Sequence, residues 1–468
     1  MANHPLLKPY SPATDGTFDA VNAAHLLNRA GFGGTPDEIA RVLELGPVGA
    51  VDWLMDFPDA PAEEQSQNDV PDLSSIDGYP RTFAERRKLF EGKTPDERMQ
   101  LNNMLMRANR EAVQATSAWW LNRMATGPNP LQEKLTLFWH GHFTTSARDE
   151  RSAWLMWQQN ELLRRQSAGN FEKFVRQISR DPAMLGYLNN SQNRKQSPNE
   201  NYARELMELF TLGIGQYTEA DIKEAARAFT GWTHDGENFV FRKFDHDTGE
   251  KTFFGKRGTF DGDDVITLIL RHPACAPYIA SRLWTFFAYE NPEPAITNAL
   301  GDLLRDESWD LRPVLRTMFT SRAFYSDRAI GTQIKSPVQL VVGTVRLLGL
   351  KMPPGRQIAG ALDQMGQIPL APPNVKGWPG GRAWINTSTL FVRYNTAMTL
   401  AGQAEPATRK GASPGDVVDE WVARLIQRPI APEKRQTLLE TVSRRPDDLS
   451  AVRSMIQLIV SMPEYQLC

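Results

Sequence analysis

The feature that most constrains this chain is a repeated helix-start signal: Ser or Thr, then Pro, then an acid three residues after the hydroxyl. It occurs as Thr35-Pro36-Asp37-Glu38, Thr94-Pro95-Asp96-Glu97 and Ser197-Pro198-Asn199-Glu200. The hydroxyl can cap an amide of the first turn, proline lacks a donor that would be orphaned there anyway, and the acid reaches back to the cap. Apolar residues then recur at helical spacing: Ile39, Val42 and Leu43; Leu101, Leu105 and Ala108; Tyr202, Leu206, Leu209 and Phe210. Gly46, Gly127, Gly213 and Gly231 offer stops. About fifteen helical segments can be read in this way. The expected fold is mainly α, a multi-helical globular protein.

One segment departs from that pattern. Asn238 to Phe254, NFVFRKFDHDTGEKTFF, combines aromatic and β-branched residues with a polar turn, which predicts a small β-hairpin near 238–255. His246 and Asp247 would then sit at an exposed turn. Proline and polar residues at Pro58 to Pro80 mark a linker or long surface loop, 58–80, after an N-terminal helical segment, 1–57. A helical core follows over 81–402, with a Pro- and Gly-rich loop at Pro369 to Gly381. A break at Gln403 to Gly415 precedes a C-terminal helical segment, 416–468. No repeat of fixed period is present, which disfavours a solenoid.

Composition narrows the function classes. Fifty-three Lys and Arg against 55 Asp and Glu give a net charge of -2, so no global attraction to nucleic acid or anionic lipid is expected. The longest nearly apolar run, Val338 to Leu350, is interrupted by Arg346 and is too short to span a bilayer, so no membrane insertion is expected. The start, MANHPLLKPYSPATDG, lacks a basic and apolar leader and a twin arginine, so as written the protein is expected in the cytoplasm. Two cysteines, Cys275 and Cys468, rule out a disulfide framework or a multi-cysteine metal site. No GxGxxG follows a strand, and GxxxxGK[ST], HExxH and GxSxG motifs are missing.

Three constellations can carry chemistry. His140 and His142 form a His-x-His pair in FWHGHF; if the helix ends at Gly141, both imidazoles can converge on one metal ion, whereas on a continuing helix they point about 200° apart. Asn201, Glu205 and Glu208 share one polar face of NENYARELMELFTLG, where two carboxylates can hold a cation or act as base and orienter; a solvated face with Arg204 paired to Glu208 is the plainer alternative. His234-Asp235 and His246-Asp247 place carboxylates beside imidazoles, although turn chemistry explains them as well. Lys376, Trp378, Arg382 and Trp384 in the loop APPNVKGWPGGRAWINTS add cations beside aromatics.

These stretches carry a resemblance. HLLNRAGFGGTPDEI, LQEKLTLFWHGHFTTS, NENYARELMELFTLGIGQYTEADIKEAARAFTGW, HDTGEKTFFG, IKSPVQLVVGTVRLLG and PPNVKGWPGGRAWIN follow, in order from about His25 to Arg393, the pattern of the bacterial family called domain of unknown function 1800. The resemblance implies a predominantly helical protein, often encoded beside a member of the domain of unknown function 1501 family, whose members look like phosphatase or sulfatase relatives and often carry export signals. It brings no established reaction. The family's histidine pair falls on His140 and His142, its helical Asn, Arg and two Glu on Asn201, Arg204, Glu205 and Glu208. Its His-Asp-x-Gly-x-Lys falls on His246, Asp247, Gly249 and Lys251, and its Lys-Gly-Trp on Lys376, Gly377 and Trp378. The chain departs from the pattern in having IGQYT where many relatives have a longer glycine-rich turn, and in lacking a visible leader.

The leading expectation is therefore a metal-dependent hydrolase or oxidoreductase. His140, His142 and His246 would ligate zinc, iron, copper or manganese, with Glu205, Glu208 or Asp247 in catalysis. Asn201, Arg204, Lys251, Lys376 and Trp378 would contact substrate. One alternative is a non-catalytic partner of the co-encoded domain of unknown function 1501 protein, co-exported with it to the periplasm. A further alternative is a polysaccharide-acting helical enzyme whose carboxyl groups stand roughly 5–10 Å apart.

Overall fold

The computed structural model describes residues 4–58, 70–150, 152–406, 411–443 and 448–468. Two stretches singled out in the sequence, 59–69 of the expected linker and 407–410 of the Gln403–Gly415 break, lie outside the described residues. The chain is mainly α, with two small antiparallel strand pairs. Both Thr-Pro-Asp-Glu signals start helices: Thr35 caps Pro36–Leu54 and Thr94 caps Pro95–Thr126, each with the glutamate returning to the cap amide. Gly46 does interrupt its helix: at φ 68° and ψ 177° its backbone is non-helical, and a second helical run starts at Pro47. The Ser197 signal starts nothing; that helix begins at Asn201. Ser197 N–H donates instead to Arg194 O and Asn199 N–H to the side chain of Asn193, which ties the segment into a turn.

The β excursion lies where the sequence places it and is organised as two pairs. Strand β1 (Trp232–His234) pairs with β2 (Phe239–Phe241), and β3 (Lys251–Phe253) with β4 (Lys256–Gly258). The aromatic stretch and the KTF stretch thus each take a nearer partner than one another, which closes shorter loops. Phe254 and Gly255, at φ 48° and 72°, make the two-residue turn that suits the twist of a hairpin. The DHDTGE segment connects the two pairs and is not the tip of one.

Two large apolar clusters form most of the interior, beside a small third one of Ile76, Ala108, Ala112 and Ala153. One large cluster joins Leu26, Val42 and Phe57 to Phe174, Phe210, Ile279 and Leu315; the expected N-terminal segment thus shares a core with the helices of the central region. The other large cluster joins Trp120 and Met124 to Val341, Leu362, Leu400, Trp421 and Ile456. Between these two runs the Pro130–His142 helix, which gives Leu131, Leu135, Phe138 and Trp139 to the first cluster and Leu137 to the second. Every residue of it except Pro130 and Gly141 is buried, as expected of a helix enclosed on all sides. Among the described residues no helix is long and apolar enough to cross a membrane.

Burying that helix requires its charges to be answered. Glu133 accepts from Arg164 at 2.8 and 3.1 Å, Arg123 at 2.6 Å and the Trp120 indole at 2.9 Å. Burial pushes this carboxyl up, but Arg164 and Arg123 outweigh it and hold it below the ordinary value. The lysine of the same helix, Lys134, has no ion-pair partner among the described residues.

Candidate functional site

The helix does not end at Gly141; it runs through His142 and is capped at Phe143. Helical geometry therefore sends the two imidazoles to different sides. The His140 ring lies 5.7 Å from Trp120 and 5.5 Å from Trp378, with both nitrogens buried and unpartnered. The His142 ring stacks on Phe138 and its Nε2 lies 3.0 Å from Phe210 O. Burial lowers both to about 3, so both are neutral at physiological pH. His246 is held elsewhere, its Nδ1 2.8 Å from Thr230 O and its ring against Phe241. The structure does not gather the three histidines around one point, and among the described residues no group of three His, Cys, Asp or Glu could hold a metal ion.

Gly141 has another role than bending the helix. Gly377, at φ 78°, approaches so closely that a Cβ there would stand 2.2 Å from Gly141 O. A Cβ on Gly141 would in turn touch the Trp378 ring at 3.4 Å. Two glycines thus let the Lys-Gly-Trp loop lie directly on the histidine helix. That contact delivers Trp378 to one side of the loop, while Lys376 acts electrostatically on Glu205.

The acid pair sits on a widened turn. Asn201–Glu205 is α-helical and Leu206–Thr211 continues as π-helix, a feature often found near functional sites. Glu208 accepts from the Tyr217 hydroxyl at 2.9 Å. Burial and the neighbouring Glu208 raise Glu205, against Arg204 and Lys376. Arg204 does not pair with Glu208; it bridges Glu219, at 2.8 Å through two nitrogens, and Glu200 at 3.1 Å. Asn201 is exposed, its N–H bonded to the Asn199 side chain.

The His-Asp-x-Gly-x-Lys stretch is a closed network. Asp247 accepts from Arg227 at 2.7 and 3.3 Å, and Lys251, 1 % exposed, donates to Asp247 O at 2.6 Å and Gly249 O at 3.1 Å. These bonds hold the link between the two strand pairs.

What the geometry does assemble is a cleft of about 630 Å³ between the histidine helix, the end of the Cys275–Phe287 helix and the tryptophan loop. Trp378, Trp384, Phe138 and Phe286 supply aromatic surface, and the exposed Arg282 and Glu290 stand where it meets solvent. Lys134 lines it from within, 3 % exposed, its Nζ 4.9 Å from the Phe32 ring centroid and 5.9 Å from Phe286. Among the described residues it makes no hydrogen bond or ion pair. Burial, opposed by charge at Cys468 and seconded by Arg29 and Lys335, lowers its amine to about 7. Sequence reasoning passed over Lys134. The available signal was a lysine in LQEKLTLFW set three residues after Leu131 and four before Phe138, on the side that had to be buried.

The family model described as Protein of unknown function (DUF1800) matches residues 25–467, nearly the whole chain, and the chain belongs to that family. No curated protein and no solved structure matches it.

Proposed function

For this member of the family we propose a lysine-centred enzyme acting on a carbonyl-bearing organic molecule held in the Trp378–Trp384 cleft. The observation that carries the reading is an amine with no hydrogen bond or ion pair among the described residues, buried yet lining a cleft of about 630 Å³. An amine whose proton is lost near 7 is nucleophilic and basic under conditions where a surface lysine is neither. Its neutral nitrogen adds to the carbonyl carbon, the carbinolamine loses one water to give an imine, and that imine takes one proton from solvent to become the protonated imine. Trp378 and Trp384 offer flat faces to an apolar or sugar skeleton, and Arg282 offers a fork to an anionic substituent.

We prefer it to the three-histidine metal centre because, among the described residues, no group of three His, Cys, Asp or Glu is placed to hold a metal ion. The test is reductive trapping. The full chain is incubated with glyoxylate and cyanoborohydride at pH 7.5, and the modified peptides are identified by mass spectrometry. Lys134 is expected to be modified ahead of the exposed lysines, more slowly in Trp378→Ala, and to the same extent after treatment with a chelator. Modification confined to exposed lysines overturns the reading, and loss of trapping on chelation returns the metal-dependent one.

A further inference from the structure

A second cavity, of about 260 Å³, shares no lining residue with the first. It forms where residues 79–86 cross the Pro95–Thr126 helix and the β1–β2 pair. Phe83 N–H donates to Asp235 O, and Gly236, at φ 114°, lets the two segments meet, since a Cβ there would stand 2.6 Å from Arg81 O. Ile76 and Tyr79 close one side by packing against Ala108 and Ala112.

Three polar side chains reach this space with unused capacity. Glu150 and His234 meet over Gly186, where a Cβ would lie 2.5 Å from Glu150 Oε2 and 3.7 Å from His234 Nε2. The Glu150 carboxyl has no hydrogen bond or ion pair among the described residues, and His234, 6 % exposed, leaves Nδ1 without a hydrogen bond there. The Arg81 guanidinium lies 3.6 Å from the Trp154 ring centroid, with Nη1 buried and unpartnered. Such orphaned groups inside a cavity cost stability unless a ligand answers them.

The charge state of the walls selects the ligand. Burial, with Asp181 behind it, pushes Glu150 up to about 8, and burial raises Asp181 to about 7. Burial lowers His234, against Asp235 and with Arg242. Arg81 remains a cation, attended by Glu237, Asp77 and Glu85, and the exposed Arg86 stands beside it at the cavity wall. At neutral pH the inner wall is therefore a protonated acid and a neutral ring beside a guanidinium. That set donates to an anion, and a single negative charge suits it better than a dianion.

We propose that this cavity binds a small planar carboxylate, its oxygens accepting from Arg81 and from the Glu150 carboxyl and its skeleton lying against Trp154, Phe83 and Leu155. The binding would be lost as Glu150 ionises, because its donor becomes a second anion.

Calorimetric titration of the full chain with benzoate, benzyl alcohol and inorganic phosphate tests this. Benzoate is expected to bind at pH 6.5 and at least roughly tenfold more weakly at pH 9.5, with benzyl alcohol and phosphate weaker than benzoate at pH 6.5. Glu150→Gln, which keeps a donor at all pH values, should bind benzoate with a flat pH profile. Arg81→Met should lose the binding while melting at the same temperature. No benzoate binding, binding that survives Arg81→Met, a pH profile unchanged by Glu150→Gln, or phosphate or benzyl alcohol bound as tightly as benzoate would each overturn the assignment.

Discussion

Replacing Lys134 with methionine, which keeps most of the stem's volume and removes the charge, should make the protein more stable near neutral pH. The amine is lowered from 10.5 to about 7 because its charged form is buried without a partner. In the folded protein it binds a proton less readily than in the unfolded chain, so between about 7 and 10.5 the unfolded state carries more protons and wild-type stability rises with pH. Each unit is worth about 1.4 kcal/mol, which places the destabilisation at about 3–5 kcal/mol at pH 7.5 and about 1–2 kcal/mol at pH 9.5. Urea denaturation followed by tryptophan fluorescence at pH 7.5, 8.5 and 9.5 measures it. Lys134→Met should exceed wild type most at pH 7.5, with the gap narrowing by roughly 2–3 kcal/mol by pH 9.5. A shallower upward slope should persist in the variant, since burial also lowers Lys335, to about 8. A gap that does not change with pH, or a variant less stable at pH 7.5, would refute the claim that this amine is buried without compensation, and with it the basis for its reactivity.

Three other outcomes are expected. Glu133→Gln removes one of the two carboxylates that answer the buried Arg164, leaving Glu161, and should cost about 1.5–3 kcal/mol in chemical denaturation; a loss below about 1 kcal/mol would show that the cluster tolerates neutralisation. Gly377→Ala places a side chain on Gly141 O at a left-handed φ, so a loss of at least about 1–2 kcal/mol is expected, together with slower trapping of Lys134 as Trp378 is displaced. Unchanged melting and trapping would remove the two-glycine contact from the account. Asp247→Asn weakens a part-exposed pair with Arg227 and should cost about 1 kcal/mol or less without altering trapping at Lys134.

The fold was legible wherever one local rule decides the outcome. Thr35 and Thr94 cap as their sequences require, and the buried sides of Tyr202, Leu206 and Phe210 follow from spacing alone. The Ser197 signal misled because its backbone found earlier partners at Arg194 and Asn193. Strand pairing was half legible: composition marks the β residues, while which strand meets which depends on loop closure. The site was least legible. Gly141 reads as a helix stop until a second glycine, more than two hundred residues away in the chain, is seen lying on it. Lys134 reads as an ordinary charged residue until both cores close around its helix. Such meetings depend on long-range contacts that no window of sequence contains.

The π-helical turn at Leu206–Thr211 has a bearing on how such a chain can change. A turn of this kind holds one residue more than an α-helical path between the same ends. Deleting a single residue there would let the segment relax to ordinary pitch and swivel Glu205 by about 100° relative to Phe210. Glu205 would rotate away from the side that Glu208 shares with Tyr217, with no side chain at the site altered, so a surplus residue in the backbone sets which way the two acids face.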